Sequence, residues 1–374
     1  MPTNTSIRVF NSSYPIWVGS AVLPELQELL REKYSGVSRF ILVDENTREH
    51  CLPLVIEQVP LLREAIVIEI PAGETHKKLK TCHLVWQALL DGKADRHALL
   101  INLGGGVIGD LGGFVAATFK RGIDFLQMPT TLLAQVDASV GGKVGVDLGP
   151  HKNQVGVFAN PVAVFVCPAF LDTLDQAQLH SGLAESIKHG LIADPLFWEM
   201  LQEQESPFGP ARDRLIAHSL KIKNDVVLQD PLESGLRKIL NFGHTIGHAV
   251  ESYFLEQEQP ILHGEAVALG MICEGFLSVK HSKLNQIDLD AYTAYTFRYF
   301  SPIHVPVNAE DRIVELMAFD KKNQGNSIRF VLLESIGKTV IDVECPEVSI
   351  REALQHYRQL AHQWTPSPTK KHDS

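Results

Sequence analysis

Apolar and polar segments alternate along the first half of the chain as they do in proteins with a parallel sheet. An apolar run at 98–103 predicts a buried strand, followed by a glycine turn at 104–110 and a helix to about Lys120. The same pattern predicts strands at 7–18, 39–43, 65–70, 123–128 and 162–167, and helices at 21–34 and 77–91. This alternation predicts a Rossmann-like α/β domain with a mostly parallel sheet.

From about Leu174 the pattern of apolar positions is helical almost to the end of the chain. We therefore predict an α/β domain at residues 1–174 and an all-α domain at residues 175–374. Polar residues with helical spacing fall within the second domain. Glu185 and Lys188 are three residues apart, and His244 and His248 are four apart, so each pair shares one helix face.

The glycine turn at 104–110 fits the pattern G-x-G-x-x-G between a strand and a helix. Glycines let the backbone approach a pyrophosphate, and the helix N-terminus presents free N–H groups to it. A glycine-rich corner that binds nothing is the alternative. A second glycine turn with a lysine, at 141–143, follows the strand that ends at Pro129, so two polar loops are expected at one sheet edge.

Two further polar features remain ambiguous from spacing alone. Asp44, just past a predicted strand, could bind a ribose hydroxyl or cap a helix. His244 and His248 form the natural metal-binding pair, although two histidines on a helix are more often a polar face. By the same spacing, Glu185 is an ordinary surface acid.

Composition narrows the class of protein. The chain has 374 residues and a net charge of −10, which argues against a general nucleic-acid or anionic-membrane surface. Its five cysteines lack C-x-x-C spacing and are interpreted as reduced residues of a cytoplasmic protein. The N-terminus shows no secretory signal, and no apolar run reaches membrane-spanning length.

Four motifs together make the chain similar to a known family. They are G-G-G-V-I-G-D-L-x-G-F, R-G, P-T-T-L-L-A-Q-V-D-x-S-V-G-G-K and K-N-x-x-G-x-F, all within residues 104–158. The chain resembles the 3-dehydroquinate synthases, within the wider sugar-phosphate cyclases, from about Asp44 to about Lys338.

The resemblance implies a fold, a reaction and cofactors. It implies a dehydroquinate synthase-like fold in which the first domain binds NAD+ and the second binds metal and substrate. The implied reaction converts 3-deoxy-D-arabino-heptulosonate 7-phosphate to 3-dehydroquinate and phosphate, the second step of the shikimate pathway. It proceeds by transient NAD+-dependent oxidation, phosphate elimination, re-reduction, ring opening and intramolecular aldol closure. We expect Zn2+, with Co2+ as an alternative, in a cytoplasmic homodimer without nucleic-acid or membrane partners.

The resemblance also implies roles for individual residues. It assigns Glu185, His244 and His263 to the metal, and His248 to substrate contact or proton transfer. The other implied substrate-contacting residues are Arg121, Asp137, Lys143, Lys152, Asn153, Lys188, Lys223, Glu233, Arg237, Asn241 and Lys321, with Lys322 as the alternative to Lys321. The implied cofactor-contacting residues are Asp44, Glu74, Lys77, Gly105, Gly106, Val107, Asp110, Thr130, Thr131, Asp137, Lys143, Lys152, Phe170 and Thr173.

Three positions depart from the usual family pattern. Ala72 replaces an acid, Val144 replaces a threonine, and Pro231 replaces an acid after Asp230. Alternative functions are another sugar-phosphate cyclase, such as a 2-deoxy-scyllo-inosose or 2-epi-5-epi-valiolone synthase, a metal-dependent polyol dehydrogenase, or a non-catalytic binding module. The cyclase substrates lack a carboxylate, so the retained cationic residues favour the dehydroquinate synthase assignment.

Overall fold

The computed structural model of the protein describes residues 6–9, 13–149, 151–209, 211–320 and 328–365. Backbone contacts group the chain into two units. The first comprises Met1–Leu179 with Phe208–Leu228, and the second comprises His180–Pro207 with Gln229–Ser374. The domain boundary predicted after residue 174 stays a prediction.

The described strands of the first unit are β1 (Ser6–Val9), β2 (Ile16–Gly19), β3 (Arg39–Asp44), β4 (Ile66–Ile70), β5 (Leu99–Gly104), β6 (Asp124–Pro129), β7 (Lys143–Leu148), β8 (His151–Phe158) and β9 (Ala163–Val166). Seven of them form one sheet in the order β1-β2-β9-β6-β5-β3-β4. Strand β1 pairs antiparallel with β2, and all other neighbours in the sheet are parallel. The predicted mostly parallel sheet is confirmed.

Helices cover both faces of this sheet. They are α1 (Val22–Lys33), α2 (Glu45–His50), α3 (Leu52–Gln58), α4 (Leu79–Asp91) and α5 (Gly106–Thr118). Strand β3 shows why two faces are needed, since Ile41 and Val43 belong to one apolar core and Phe40 and Leu42 to the other. Alternate residues of a strand point to opposite faces, so a strand that is apolar throughout must be covered on both.

Close packing of α5 places its N-terminus at the end of β5. A Cβ atom on Gly112 would lie 2.0 Å from the side-chain oxygen of Asn102, and one on Gly104 would lie 2.4 Å from Ile108. The glycines therefore permit a helix-to-sheet distance that any side chain would prevent. As a result, the N–H groups of the first helical turn face the carboxyl end of the sheet.

Strands β7 and β8 form a separate antiparallel hairpin. The positive φ angles of Gly141 and Gly142 confirm the second glycine turn, which leads into this hairpin. The polar sequence His151-Lys152-Asn153 suggests a turn, but this interpretation is wrong, because His151 pairs with Leu148 and all three residues lie in β8. Their polar character suits a strand outside the main sheet, where burial on both faces is not required.

The second unit is mainly helical, as predicted. Helix α8 (Arg212–Gln229) belongs almost wholly to the first unit, and the remaining helices are α6 (Gln176–Ala193), α7 (Pro195–Glu203), α9 (His244–Glu256), α10 (His263–His281), α11 (Gln286–Thr296), α12 (Glu310–Asp320) and α13 (Glu347–Gln363). The prediction of an all-α part needs one addition, an antiparallel hairpin of β10 (Arg329–Ser335) and β11 (Lys338–Glu344). Among the described helices, none combines the length and apolar character required to cross a membrane.

Candidate metal and cofactor sites

A buried carboxylate and two imidazoles meet in the second unit. Glu185 on α6 is 1% exposed, and its Oε1 atom lies 3.4 Å from Nε2 of His244 and 3.4 Å from Nε2 of His263. These histidines begin α9 and α10. His248 joins them, because ligand atoms of the three histidines lie within 4.8 Å of one another.

Glycines bring the three helices close enough for this convergence. A Cβ on Gly264 would lie 2.0 Å from the carbonyl oxygen of Ser181, and the Gly264 N–H donates to Ser181 Oγ at 3.0 Å. Gly264 follows His263 directly, and Ser181 lies one helical turn before Glu185. A Cβ on Gly247 would meet the Ala266 carbonyl oxygen at 2.9 Å, so α9 and α10 also pack backbone to backbone.

The start of α9 is held from both sides of His244. The His244 Nδ1 atom lies 3.1 Å from the Phe242 carbonyl oxygen, a contact that directs Nε2 toward Glu185. The fully buried Glu274 accepts hydrogen bonds from the backbone N–H groups of Gly243 at 2.7 Å and Ile246 at 3.0 Å. This carboxylate on α10 therefore caps the helix that carries His244.

Electrostatics prepare Glu185 and His244 to bind a cation. Burial alone would raise the pKa of Glu185, but the ammonium of Lys188 and the ring of His244 outweigh it and hold that pKa well below its usual range. Burial lowers the pKa of His244 to about 4, so its ring is neutral at neutral pH. Burial also acts to lower the pKa of His263, but hydrogen bonds to Glu185 and Glu251 raise it to about 10.

This donor set fits a catalytic divalent metal ion. A buried carboxylate and imidazole nitrogens are the ligands that Zn2+ takes in catalytic sites, which keep one position open for water or substrate. Cobalt accepts the same ligands. A proton on the His263 nitrogen that faces Glu185 would have to leave before that nitrogen could bind a metal ion.

Three of the cationic residues predicted to contact substrate are buried, although lysine and arginine are almost never fully buried without a partner. In the second unit, Lys188 is 1% exposed and forms an ion pair with Glu185, and Arg237 is 3% exposed. In the first unit, Lys223 is 6% exposed, and its Nζ lies 2.8 Å from Asp137 Oδ2 and donates to the Asp137 carbonyl oxygen at 2.6 Å. Most lysine and arginine residues are solvated surface charges, but burial excludes this interpretation for these three residues.

Arg237 is held by a loop that the Asp230 carboxylate organises. Asp230 accepts hydrogen bonds from the backbone N–H groups of Ser234, Gly235 and Arg237, and these bonds lower the pKa of Asp230 to about 2. The Arg237 guanidinium donates to the carbonyl oxygen of Pro231 at 2.7 Å. A backbone oxygen at this position therefore contacts Arg237 although the usual acidic side chain is absent.

Glu233 and Asn241 pair within the same part of the second unit. The Asn241 side-chain amide donates to Glu233 Oε1 at 2.8 Å. Glu233 has a φ angle of 60°, which only a few non-glycine residues adopt and which is typical of functional sites. Asn241 stands three residues before His244, so this pair lies beside the metal-binding sequence.

The predicted phosphate-binding turn of the first unit has the expected form. Gly105 is the N-cap of α5 and offers no side-chain acceptor to the first helical turn. A Cβ on Gly105 would lie 2.9 Å from Thr131 Cγ2, so only glycine lets the loop after β6 approach so closely. Thr130 is buried and its N–H donates to the Gly104 carbonyl oxygen at 3.0 Å. The helix N-terminus remains suited to bind an anion.

Lys77 links three predicted site segments of the first unit. Its Nζ atom donates to Asp110 Oδ2 and to Asn153 Oδ1, both at 2.6 Å. Asp147 accepts from the Asn153 N–H at 2.7 Å, and its own N–H donates to the Lys77 carbonyl oxygen at 2.8 Å. Asn153 has a φ angle of 52°, so these contacts hold it in a left-handed conformation.

The remaining predicted residues differ in their surroundings. Asp44 is the N-cap of α2 and forms a capping box with Thr47, so the structure bears out the capping role. The Phe170 side chain is buried in an apolar core, and Glu74 Oε1 lies 3.8 Å from Lys77 Nζ. Residues with partly or fully exposed positions are Gly106, Val107, Arg121, Lys143, Lys152 and Thr173. Lys321 and Lys322 lie outside the described residues.

Two family profiles match adjacent segments of the chain. The profile described as 3-dehydroquinate synthase N-terminal matches residues 67–181, and the one described as 3-dehydroquinate synthase C-terminal matches residues 182–323. The chain belongs to the 3-dehydroquinate synthase family.

Individual relatives agree with this family assignment. The 3-dehydroquinate synthase of Parabacteroides distasonis is 42% identical over 338 residues, covering 90% of this chain and 95% of that protein. The 3-dehydroquinate synthase of Halorhodospira halophila is 40% identical and covers 91% of this chain and 96% of that protein. A 2-epi-5-epi-valiolone synthase from Streptomyces hygroscopicus subsp. jinggangensis, solved with NAD+ and Zn2+, superposes with a TM-score of 0.80 at 26% identity, covering 93% of this chain and 97% of that chain.

Sequence reasoning about the 3-dehydroquinate synthase family missed two residues beside these sites. Asp147 is not among the predicted site residues, yet it fixes the backbone of Asn153 by accepting a hydrogen bond from its N–H group. Glu251 was not considered, although it contacts His263 and follows His244 by seven residues on the same helix. That spacing of two helical turns is a signal that could have identified it.

Proposed function

We propose that this chain catalyses the conversion of 3-deoxy-D-arabino-heptulosonate 7-phosphate to 3-dehydroquinate and phosphate. The observation that carries this proposal is the 42% identity to a 3-dehydroquinate synthase over 90% of the chain. It is supported by the sequence, which contains every metal-binding and principal cationic residue that the resemblance implies.

The proposal includes NAD+ and one divalent metal ion, zinc or cobalt. Glu185, His244 and His263 would hold the metal, and the glycine turn at 104–109 with Asp44 would hold NAD+. When bound, NAD+ takes up and returns a hydride, and the metal polarises the oxygen of the alcohol that is oxidised. The related valiolone synthase, solved with NAD+ and Zn2+, supports this pair of cofactors.

The cationic residues are proposed to bind the two anionic groups of the substrate. Buried lysine and arginine side chains retain charges that water screens little, so they bind phosphate and carboxylate more strongly than surface residues do. We assign Lys188, Lys223 and Arg237 to this role on the basis of their burial. The remaining residues proposed to contact substrate are Arg121, Asp137, Lys143, Lys152, Asn153, Glu233, Asn241 and Lys321.

His248 is proposed to move a proton during the reaction. It lies one turn after His244 on α9, and the two ring centroids are 5.0 Å apart. The His248 side chain is half-buried, so one ring nitrogen can reach a bound substrate while the ring stays beside the metal ligands. Histidine suits this role because an imidazole nitrogen can both accept and donate a proton.

Incubation with substrate separates the proposed function from its alternatives. Purified protein with NAD+, Zn2+ and the heptulosonate phosphate should release phosphate in step with a product of the mass of 3-dehydroquinate, without accumulating NADH. Stoichiometric NADH would instead identify a polyol dehydrogenase. Turnover only with sugar phosphates that lack a carboxylate would identify another cyclase, and no turnover with any of them would favour a binding module.

We also propose that the protein is a cytoplasmic homodimer. Its five cysteines are buried and unpaired, which is typical of proteins from reducing compartments. The hairpin of β7 and β8 exposes three large apolar side chains, Leu148, Val157 and Phe158, which a partner chain could cover. Light scattering of the purified protein should give twice the mass of one chain, and a monomer would refute the dimer.

A further inference from the structure

The side chain of Glu251 reaches one of the proposed metal-binding histidines from behind. Its Oε2 atom lies 3.4 Å from Nδ1 of His263, and Nε2 of the same ring lies 3.4 Å from Glu185 Oε1. The two nitrogens of one imidazole thus face two different carboxylates. A histidine that binds metal through one nitrogen usually donates its other N–H to a carboxylate or carbonyl group.

His244 provides an internal comparison. Its Nδ1 atom lies 3.1 Å from the Phe242 carbonyl oxygen, and its Nε2 atom lies 3.4 Å from the same Glu185 oxygen. Both histidines therefore use Nδ1 for orientation and direct Nε2 to one point. They differ in the orienting group, which is a neutral carbonyl for His244 and a carboxylate for His263.

The Glu251 carboxylate is buried, so it needs a partner that compensates for the loss of solvation. The residue is 6% exposed, and burying a carboxylate is unfavourable unless hydrogen bonds or ion pairs compensate. His244, His248 and Glu251 follow one another at four and three residues on α9, so they share one face of that helix. That face is packed against α10, which carries His263, through the contact of Gly247 with Ala266.

We propose that Glu251 is a positioning residue for the metal site: its carboxylate accepts the Nδ1–H of His263 and fixes the ring with Nε2 directed at the metal. This deepens the proposed function, since it rests on the assignment of Glu185, His244 and His263 as ligands. A negatively charged carboxylate behind the ring also makes Nε2 a stronger metal ligand than a neutral hydrogen-bond acceptor at the same place would.

Titration of the metal-free protein with Co2+ tests the inference without relying on activity. We expect Glu251→Ala to bind Co2+ about 10- to 100-fold more weakly than wild type and to change the visible absorption bands of the bound ion. Glu251→Gln keeps an acceptor oxygen but loses the charge, so it should bind Co2+ with intermediate affinity. Glu256→Gln is the matched control, because Glu256 lies on the same helix and contacts Arg312 instead of a histidine.

The outcomes distinguish a failure of the role proposed for Glu251 from a failure of the proposed metal ligands. Unchanged Co2+ affinity and spectrum in Glu251→Ala would overturn the role of Glu251 alone, and so would an equal loss in Glu256→Gln. If Glu251→Ala does not fold, wild-type affinity and spectrum in Glu251→Gln would overturn it. Wild-type protein that binds no Co2+ would refute the proposed ligand set, and with it the inference. A lower melting temperature of Glu251→Ala with an unchanged cobalt spectrum would indicate that Glu251 has a merely structural role.

Discussion

A single methyl group at Gly264 should disturb the metal site through the backbone. An alanine there would place Cβ 2.0 Å from the carbonyl oxygen, 2.4 Å from Cα and 2.5 Å from the carbonyl carbon of Ser181. Non-bonded carbon atoms rest about 3.5–4.0 Å apart, so the start of α10 must move away from α6 by about 1 Å or more. No change of rotamer can relieve this conflict, because every clashing atom belongs to the backbone.

The displacement has two measurable consequences. Overpacking of this kind costs about 1–3 kcal/mol of unfolding free energy, which lowers the melting temperature of the metal-free protein by several degrees. His263 adjoins Gly264, so its ring moves relative to Glu185 by a similar distance. Because a misplacement of about 1 Å can cost on the order of 100-fold in a site of defined geometry, we expect metal affinity to fall by that order.

Competition with a chelator measures the affinity, and Gly275→Ala is the control. A Cβ on Gly275 would lie 1.4 Å from the Tyr292 hydroxyl oxygen, so this variant is also overpacked, but near the opposite end of α10. Both variants should have lower melting temperatures, and only Gly264→Ala should lose metal affinity. Wild-type affinity in Gly264→Ala, or an equal loss in Gly275→Ala, would refute the argument that this contact positions His263.

Three further predictions concern other parts of the two units. Lys77→Met removes the ammonium group that donates to Asp110 at 2.6 Å, so the free energy of unfolding measured in urea should fall by about 1–3 kcal/mol. Calorimetry should show weaker NAD+ binding, and unchanged values of both would contradict the role of this hydrogen-bond network. Val144→Thr restores the usual family residue but places a hydroxyl in an apolar core, so we expect destabilisation by about 1–3 kcal/mol, and a gain in stability would contradict it. The folded-state pKa of Asp230, about 2, lies below its ordinary value of 3.8, so its stabilising effect is present above pH 3.8 and lost as the pH falls toward 2. The stability difference between wild type and Asp230→Asn should therefore shrink as the pH falls from 4 toward 2, and a constant difference would argue against it.

Local patterns in the sequence determined the family and most of the first unit. The short apolar run at 98–103 ends at a glycine-rich turn, which favours a buried strand over a helix, so β5 and the start of α5 were predictable. The helical spacing of Glu185 with Lys188 and of His244 with His248 likewise depends on neighbouring residues alone. The long motifs between residues 104 and 158 indicated the family because so many residue types recur in order.

Contacts between distant segments were decided only by the tertiary structure. The hydrogen bond from Gly264 to Ser181 joins residues 83 positions apart, and no local pattern encodes such a distance. The same holds for the burial of Lys188, the carboxylate of Glu251 behind His263, and the apolar surroundings of Val144. A sequence specifies which side chains can bind a metal or an anion. Their distances depend on how closely the helices approach, which is set by packing between segments far apart in the chain.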